Sequence, residues 1–92
     1  MSAVPIELEL LTRPDCHLCE EMKEAIAEAL RGLVVQLREV DISHDAELER
    51  RFGNDIPVLF VNGSKAFKHR ATVVELRKRL RRESVAAKKT PR

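Results

Sequence analysis

The sequence has no tryptophan, no tyrosine and only three phenylalanines. Its core must therefore be built from aliphatic side chains, and the chain lacks the aromatic platform on which proteins stack single-stranded nucleic acid. It also lacks an apolar run long enough to span a bilayer. The first basic residue is Arg13, so the basic start of a secretory signal peptide is missing. We therefore expect a cytoplasmic protein without a membrane partner.

Cysteine is scarce too, with only two residues among 92, a length that fits a single domain. In the cytoplasm, two cysteines are more often catalytic or metal-binding than joined in a structural disulfide. Charge is unevenly distributed, because residues 77–92 hold eight basic side chains and one acidic side chain, whereas the preceding part is mildly acidic. We expect a domain over residues 1–82, followed by a basic, flexible tail over residues 83–92.

The spacing of apolar residues predicts the element order β-α-β-α-β-β-α, and thus an α/β protein. Alternation over residues 6–10 is typical of a strand, whereas the spacing over residues 18–30 is helical. Asp15 is the predicted N-cap of that helix, and Gly32 marks its end. Further strands are predicted over residues 33–40, 56–61 and 65–68, and further helices over residues 43–52 and 72–82. A helical crossover makes the first two strands parallel, and Asn62-Gly63 joins the last two as a hairpin. The result is a four-stranded mixed sheet with helices on both faces.

The two cysteines stand in the segment Cys16-His17-Leu18-Cys19, at a junction between a predicted strand and a predicted helix. A thiol on the first turn of a helix faces unpaired backbone N–H groups and the positive end of the helix dipole, and both favour the thiolate. Cys19 is one turn further on, within reach of a disulfide and better shielded. The spacing therefore predicts a nucleophile, Cys16, and a resolving thiol, Cys19, as two-step disulfide exchange requires.

Two other interpretations of the cysteines stay open. They could be buried core residues, because unpaired cysteine is among the most buried residue types. They could also bind zinc together with two of His17, His44 and His69, although these histidines lack the close spacing of a second ligand pair. We expect neither a metal nor another cofactor.

Residues near the cysteines are candidates for contact with a substrate. A protonated His17 would favour the Cys16 thiolate further, although an exposed histidine without a role is an equal alternative. Arg13 could attract an anionic substrate, or simply be solvated. Pro57 opens an apolar strand, where proline is allowed because the first residue need not donate to the ladder.

These segments together resemble the glutaredoxin-like branch of the thioredoxin superfamily. The resemblance rests on residues 10–19 with the two cysteines, on Val40-Asp41-Ile42, and on residues 55–63 with Ile56-Pro57, and it extends from about residue 6 to residue 80. It implies a thioredoxin-like fold and thiol–disulfide oxidoreductase activity, with Cys16 as nucleophile and Cys19 as resolving thiol. It further implies that Pro57 is a cis-proline beside the disulfide and that Ile56 offers its backbone to an extended substrate.

The sequence also departs from typical dithiol glutaredoxins. They have Pro-Tyr between the cysteines, where this chain has His17-Leu18. They also bind glutathione with a Gly-Gly pair and an acidic residue at the start of a late helix, where this chain has neither over residues 69–73. The expected partners are therefore protein or small-thiol disulfides and an unidentified reductant, with glutathione in doubt.

A second hypothesis is a binding module without catalytic activity. In that case the fold is retained and the basic helix over residues 77–82 binds nucleic acid or an acidic partner. A basic run is more often a solvated face, and without interleaved aromatic residues nucleic acid is not the expected partner. A third possibility, transport of an iron–sulfur cluster, resembles what single-cysteine relatives do with glutathione. The missing glutathione residues weaken it.

Overall fold

A computed structural model of the protein describes residues 5–89. Within this range, four strands and three α-helices follow one another in the predicted order. They are β1 (Ile6–Thr12), α1 (His17–Ala29), β2 (Val35–Asp41), α2 (Ala46–Phe52), β3 (Val58–Val61), β4 (Ser64–Lys68) and α3 (Val73–Lys89). A short 3-10 helix, Ile42–His44, lies between β2 and α2.

The strands form one mixed sheet in the order β2-β1-β3-β4. β1 pairs in parallel with β2, whereas β3 is antiparallel to both β1 and β4. The helical crossover through α1 explains the parallel pair, and the hairpin turn explains the antiparallel pair of β3 and β4. The predicted four-stranded mixed sheet is therefore confirmed.

Successive side chains of each strand point to opposite faces of the sheet, so the buried residues form one cluster on each face. Leu10 and its cross-strand partner Leu59 face α1 and α3, whose buried residues include Ile26 and Leu80. The next residue of β1, Leu11, faces the opposite side and belongs to a smaller cluster against which α2 packs. Helices on both faces of the sheet are thus confirmed. Within the described range, no helix combines the length and apolar character needed to cross a membrane.

Two local predictions for the helix starts were wrong. The N-cap of α1 is Cys16, because Asp15 adopts a left-handed backbone conformation with φ 59° in the loop before it. The segment predicted as one helix over residues 43–52 is split, and α2 begins after Asp45, whose carboxylate accepts hydrogen bonds from the backbone N–H groups of Glu47 and Leu48. Ser43 lies within the 3-10 helix instead, and Asp45 satisfies two backbone N–H groups at the start of α2.

The turn and the cap around α3 follow the sequence pattern. Asn62 and Gly63 both have positive φ, 49° and 85°, as the tight hairpin turn requires. Thr72 and Glu75 form the expected capping box, with reciprocal hydrogen bonds of 3.0 Å. The helix continues to Lys89 instead of ending near Arg82, and no proline occurs before residue 91 to stop it. The end of the predicted tail, residues 90–92, lies outside the described residues.

Candidate active site at the start of α1

Cys16 occupies the N-cap position of α1, where the chain leaves the loop after β1. Its backbone is extended (φ −108°, ψ 110°), and its sulfur accepts a hydrogen bond from the backbone N–H of Cys19 at 3.2 Å. This hydrogen bond satisfies one of the backbone N–H groups that are left unpaired at the start of a helix. The Cys16 side chain is half-buried, so a substrate sulfur can reach it.

Cys19 lies one turn further into α1 and is completely buried. It packs in a small apolar cluster with Leu11, Ile42, Ile56 and Val58. Burial, followed by the hydrogen bond with the Cys16 side chain, raises the pKa of the Cys19 thiol to about 11. The Cys19 thiol is therefore shielded from solvent, whereas the Cys16 thiol is only half-buried.

The loop before β3 brings the predicted proline to the same cluster. The Ile56–Pro57 peptide bond is cis, and the Pro57 side chain is fully buried. The Pro57 carbonyl accepts a hydrogen bond of 2.8 Å from the backbone N–H of His69, which fixes the start of β3 to the loop after β4. Ile56, 8% exposed, packs with Cys19, and its backbone N–H and C=O have no backbone partner among residues 5–89.

Arg13 extends from the loop between β1 and α1 toward α2. Its Nε and Nη2 donate to the two carboxylate oxygens of Glu49 at 3.0 and 2.7 Å, and Nη2 also donates to the carbonyl of Gly53 at 3.2 Å. The hydrogen bonds and charge of Glu49 raise the pKa of Arg13. The guanidinium, predicted to contact substrate, is thus bound mainly to α2.

The three histidines lie apart from one another. His17 is largely exposed and pairs along α1 with Glu21, at 3.0 Å from its Nε2 to the carboxylate. His44 pairs with Asp41 at 3.4 Å, and Nε2 of His69 lies 3.2 Å from the Asn54 carbonyl oxygen. In the part of the chain that the structure describes, no three or more His, Cys, Asp or Glu side chains are grouped as metal ligands.

A groove of about 430 Å³ lies between α1 and the loop that connects β4 to α3. Leu18 and Glu21 form its α1 wall, and Arg70 and Glu75 belong to the wall opposite. No pattern in the sequence pointed to Glu21 or to the contacts of Glu49, because both depend on how distant elements pack. His69, which the sequence suggested only as a possible zinc ligand, also lines this groove.

The predicted alternative binding surface lies on α3. Lys78, Arg81 and Arg82 are exposed there. Two other arginines of this helix are engaged within the fold: Arg77 donates to the Glu28 carbonyl at 3.3 Å, and Arg79 pairs with Glu83 at 3.0 Å.

A helix start with two cysteines, a cis-proline before β3 and a sheet of order β2-β1-β3-β4 together define a thioredoxin-fold protein. Residues 7–81 match the model of the glutaredoxin-like domain family (DUF836), and the chain belongs to that family. A curated relative, the glutaredoxin-like protein YDR286C homolog of Dictyostelium discoideum, is 30% identical over 71 residues. That match covers 71% of this chain and 66% of the relative's length.

Solved structures support the same fold. The X-ray structure of target protein XcR50 from X. campestris has a TM-score of 0.71 at 35% identity, covering 82% of this chain and 96% of that one. Protein Ne2328 from Nitrosomonas europaea has a TM-score of 0.73 at 23% identity, covering 87% and 96%. Thioredoxin-2 of the malaria parasite has a TM-score of 0.63 at 16% identity, covering 85% and 82%. The predicted thioredoxin-like fold and glutaredoxin-like family are both confirmed.

Proposed function

We propose that the protein is a thiol–disulfide oxidoreductase in which Cys16 is the nucleophile and Cys19 the resolving thiol. One observation carries the proposal: the two sulfurs differ sharply in exposure although they lie on consecutive turns of one helix. Cys16 is half-buried at the N-cap, whereas Cys19 is completely buried. Thiolate is the attacking species in disulfide exchange, so the reaction begins at the exposed sulfur that accepts the backbone N–H.

In the first step, the Cys16 thiolate attacks one sulfur of the substrate disulfide. A new bond forms between Cys16 and that sulfur, the substrate S–S bond breaks, and the other substrate sulfur leaves as a thiolate. The product is a mixed disulfide between protein and substrate. Attack by Cys19 is disfavoured at this stage, because its raised pKa keeps its proton in place.

In the second step, Cys19 attacks the Cys16 sulfur of the mixed disulfide and releases the second substrate thiol. The Cys16 side chain itself raises the pKa of Cys19 in the dithiol form, through their hydrogen bond and the negative charge of the thiolate. Both causes disappear once Cys16 is bonded to substrate. Burial, the largest cause of the raised pKa of Cys19, remains, and so do the Arg13 backbone N–H and Lys23, which lower that pKa. The first step therefore removes part of what keeps the second thiol protonated.

The net reaction oxidises the protein dithiol to a Cys16–Cys19 disulfide and reduces the substrate to two thiols. A second thiol compound must then reduce the protein, and we propose a reductant other than glutathione. Protein disulfides and small-thiol disulfides are the proposed substrates, in the cytoplasm, where reduced thiols are maintained. The free backbone groups of Ile56, next to Pro57, are the proposed site for an extended substrate, with Arg13 and His17 at its border.

Trapping with cysteine variants tests this function. Cys19→Ser should accumulate a mixed disulfide with its substrate in cells, because nothing resolves it, whereas Cys16→Ser should accumulate none. The captured species is identified by mass spectrometry after release with dithiothreitol. Equal and negligible trapping by both variants, together with absence of disulfide reduction by the unmodified protein, would contradict the proposal and leave the basic face of α3 as the functional surface.

A further inference from the structure

We propose that Arg13 and Glu49 form a clamp that holds α2 over the small apolar cluster and thereby seals the resolving thiol of Cys19 from solvent. Both are positioning residues in this role, since neither needs to touch the reacting sulfurs. The inference deepens the proposed function and rests on it for its catalytic consequence. The clamp itself is a set of contacts among Arg13, Glu49 and Gly53 and exists whether or not the protein turns over a disulfide.

The clamp joins two elements that are distant in sequence. Arg13 lies in the loop between β1 and α1, three residues before Cys16, and Glu49 lies in α2. Two parallel hydrogen bonds of 3.0 and 2.7 Å join the guanidinium to the carboxylate. This bidentate geometry is the strong and directional form of an ion pair, which lysine cannot reproduce.

Gly53 shows that the fold leaves room for the guanidinium. It ends α2, and its carbonyl accepts a third hydrogen bond from Arg13 at 3.2 Å. Its backbone is ordinary, with φ −55°, so no positive φ requires glycine here. A Cβ at this position would lie 2.5 Å from the Glu49 carbonyl oxygen, 2.8 Å from Glu49 Oε1 and 3.2 Å from Nη2 of Arg13. Glycine is therefore required first by the close approach of the α2 backbone and then by the ion pair of Arg13 and Glu49.

α2 needs such an anchor because it is short. It has seven residues, and none of them is fully buried. Helices shorter than about 12 residues are marginal on their own and depend on tertiary contacts. Leu48 and Phe52 supply part of that packing, with Phe52 edge-on to Phe60 at 5.9 Å between ring centroids. The bidentate pair supplies the rest, at the end of α2 that faces the loop before Cys16.

The cluster covered by α2 is the one that contains Cys19. Leu48 and Phe52 pack against it from the α2 side, and Cys16 borders it from α1. Besides Cys16, the charged and polar groups that act on the Cys19 thiol are the backbone N–H of Arg13 and the side chain of Lys23. Release of the clamp would loosen α2 and the Arg13 loop together. Water would then reach the thiol and reduce the desolvation that keeps it protonated.

The test measures alkylation of Cys19 by iodoacetamide in a Cys16→Ser background, followed by mass spectrometry over a range of pH. Glu49→Gln should lower the pH at which Cys19 becomes reactive, and for each pH unit of that decrease the rate at neutral pH should rise roughly threefold. That figure combines two effects. A pKa lower by one unit gives about tenfold more thiolate at neutral pH, and the thiolate of a more acidic thiol is intrinsically less nucleophilic. The matched control is Glu47→Gln, which removes the same charge from an exposed residue of α2 that pairs with Arg50.

Two further variants separate the clamp from general loss of structure. Arg13→Lys keeps the charge but removes the bidentate contact, so it should change the reactivity of Cys19 in the same direction as Glu49→Gln, and the double variant should add little. With Glu49→Gln, alkylation of Cys16 in a Cys19→Ser background should stay the same, which keeps this test independent of turnover. Cys19 rates in all clamp variants equal to that of the Glu47→Gln control would overturn the proposal.

Discussion

Alkylation of single-cysteine variants measures the difference between the two thiols directly. The pKa of Cys19, about 11, lies above the value of about 8.5 for a free cysteine. At neutral pH this difference leaves roughly 300-fold less thiolate than in a free cysteine. The weaker acid gives the more nucleophilic thiolate, which recovers about tenfold. Cys19 should therefore react roughly twentyfold to thirtyfold more slowly than a free cysteine, before steric shielding is added.

The assay uses Cys16→Ser to observe Cys19 and Cys19→Ser to observe Cys16, with iodoacetamide and mass spectrometry. The Cys16→Ser variant lacks the contributions of Cys16 to the pKa of Cys19, but the burial of Cys19 remains. We therefore expect Cys19 in this variant to be alkylated at least about fivefold more slowly than a free cysteine. The rate at Cys19 should rise with pH well beyond the range in which a free cysteine levels off. Cys16 should react fast near pH 7. Equal rates with the pH profile of a free cysteine at both positions would refute the assignment of nucleophile and resolving thiol.

Three other predictions concern stability, the reductant and the C-terminal end. Because the folded state raises the pKa of Cys19 to about 11, it holds the proton more tightly than the unfolded chain does. This tighter binding contributes at most about 3 kcal/mol to the free energy of unfolding. The contribution is fully present below about pH 8.5 and is lost as the pH rises to about 11. Urea denaturation of the reduced protein between about pH 8 and 11 measures it, and Cys19→Ala should lack this part of the pH dependence; identical curves would contradict it. In a glutathione-coupled disulfide reductase assay we expect poor turnover, and turnover equal to that of an ordinary dithiol glutaredoxin would disprove the expectation. Deletion of residues 84–92 should change the free energy of unfolding by less than about 0.5 kcal/mol. A loss of several kcal/mol in the same denaturation experiment would show that this end docks on the domain.

Local sequence patterns predicted the fold well wherever one short-range interaction decides the structure. The turn at Asn62-Gly63 and the capping box of Thr72 and Glu75 are examples, because each depends only on residues within one turn. The N-cap of α1 was missed for a different reason. Aspartate is the better cap in general, but the loop places Asp15 at positive φ, and the sulfur of Cys16 takes the capping position instead.

The end of α3 was also predicted wrongly, because the helix was expected to end near Arg82 and it continues to Lys89. That expectation followed the polarity of the segment, and polarity alone does not decide whether residues favour a helix. The segment after Arg82 contains alanines, lysines and no proline before residue 91, and helix propensity is high there. Glu83 also accepts a hydrogen bond of 2.9 Å from the side chain of Asn62, which ties this part of α3 to the hairpin.

The candidate site was predictable only in part. The spacing of Cys16 and Cys19 and the proline before β3 are visible in the sequence, because each belongs to a short segment. The partner of Arg13 is not, since Glu49 follows it by 36 residues and reaches it only when α2 has docked. An arginine that follows a strand is compatible with both a substrate contact and a contact within the fold. Only the packing of α2 distinguishes them.

The groove between α1 and the loop from β4 to α3 includes residues 69–72, part of the segment compared with the glutathione-binding residues of glutaredoxins, and it gives the expectation about glutathione a physical basis in this chain. Glutathione carries two carboxylates, and a site that binds it needs donors or positive charge for both. The walls of the groove hold the carboxylates of Glu21 and Glu75 and the guanidinium of Arg70. Glu75 also accepts the Thr72 N–H, an interaction that requires its carboxylate to stay at the helix start. Excess negative charge at this position opposes an anionic tripeptide more than it opposes a neutral or basic segment of a protein. For this reason we expect the charge of the groove, and not the reactivity of Cys16, to limit the reaction with glutathione.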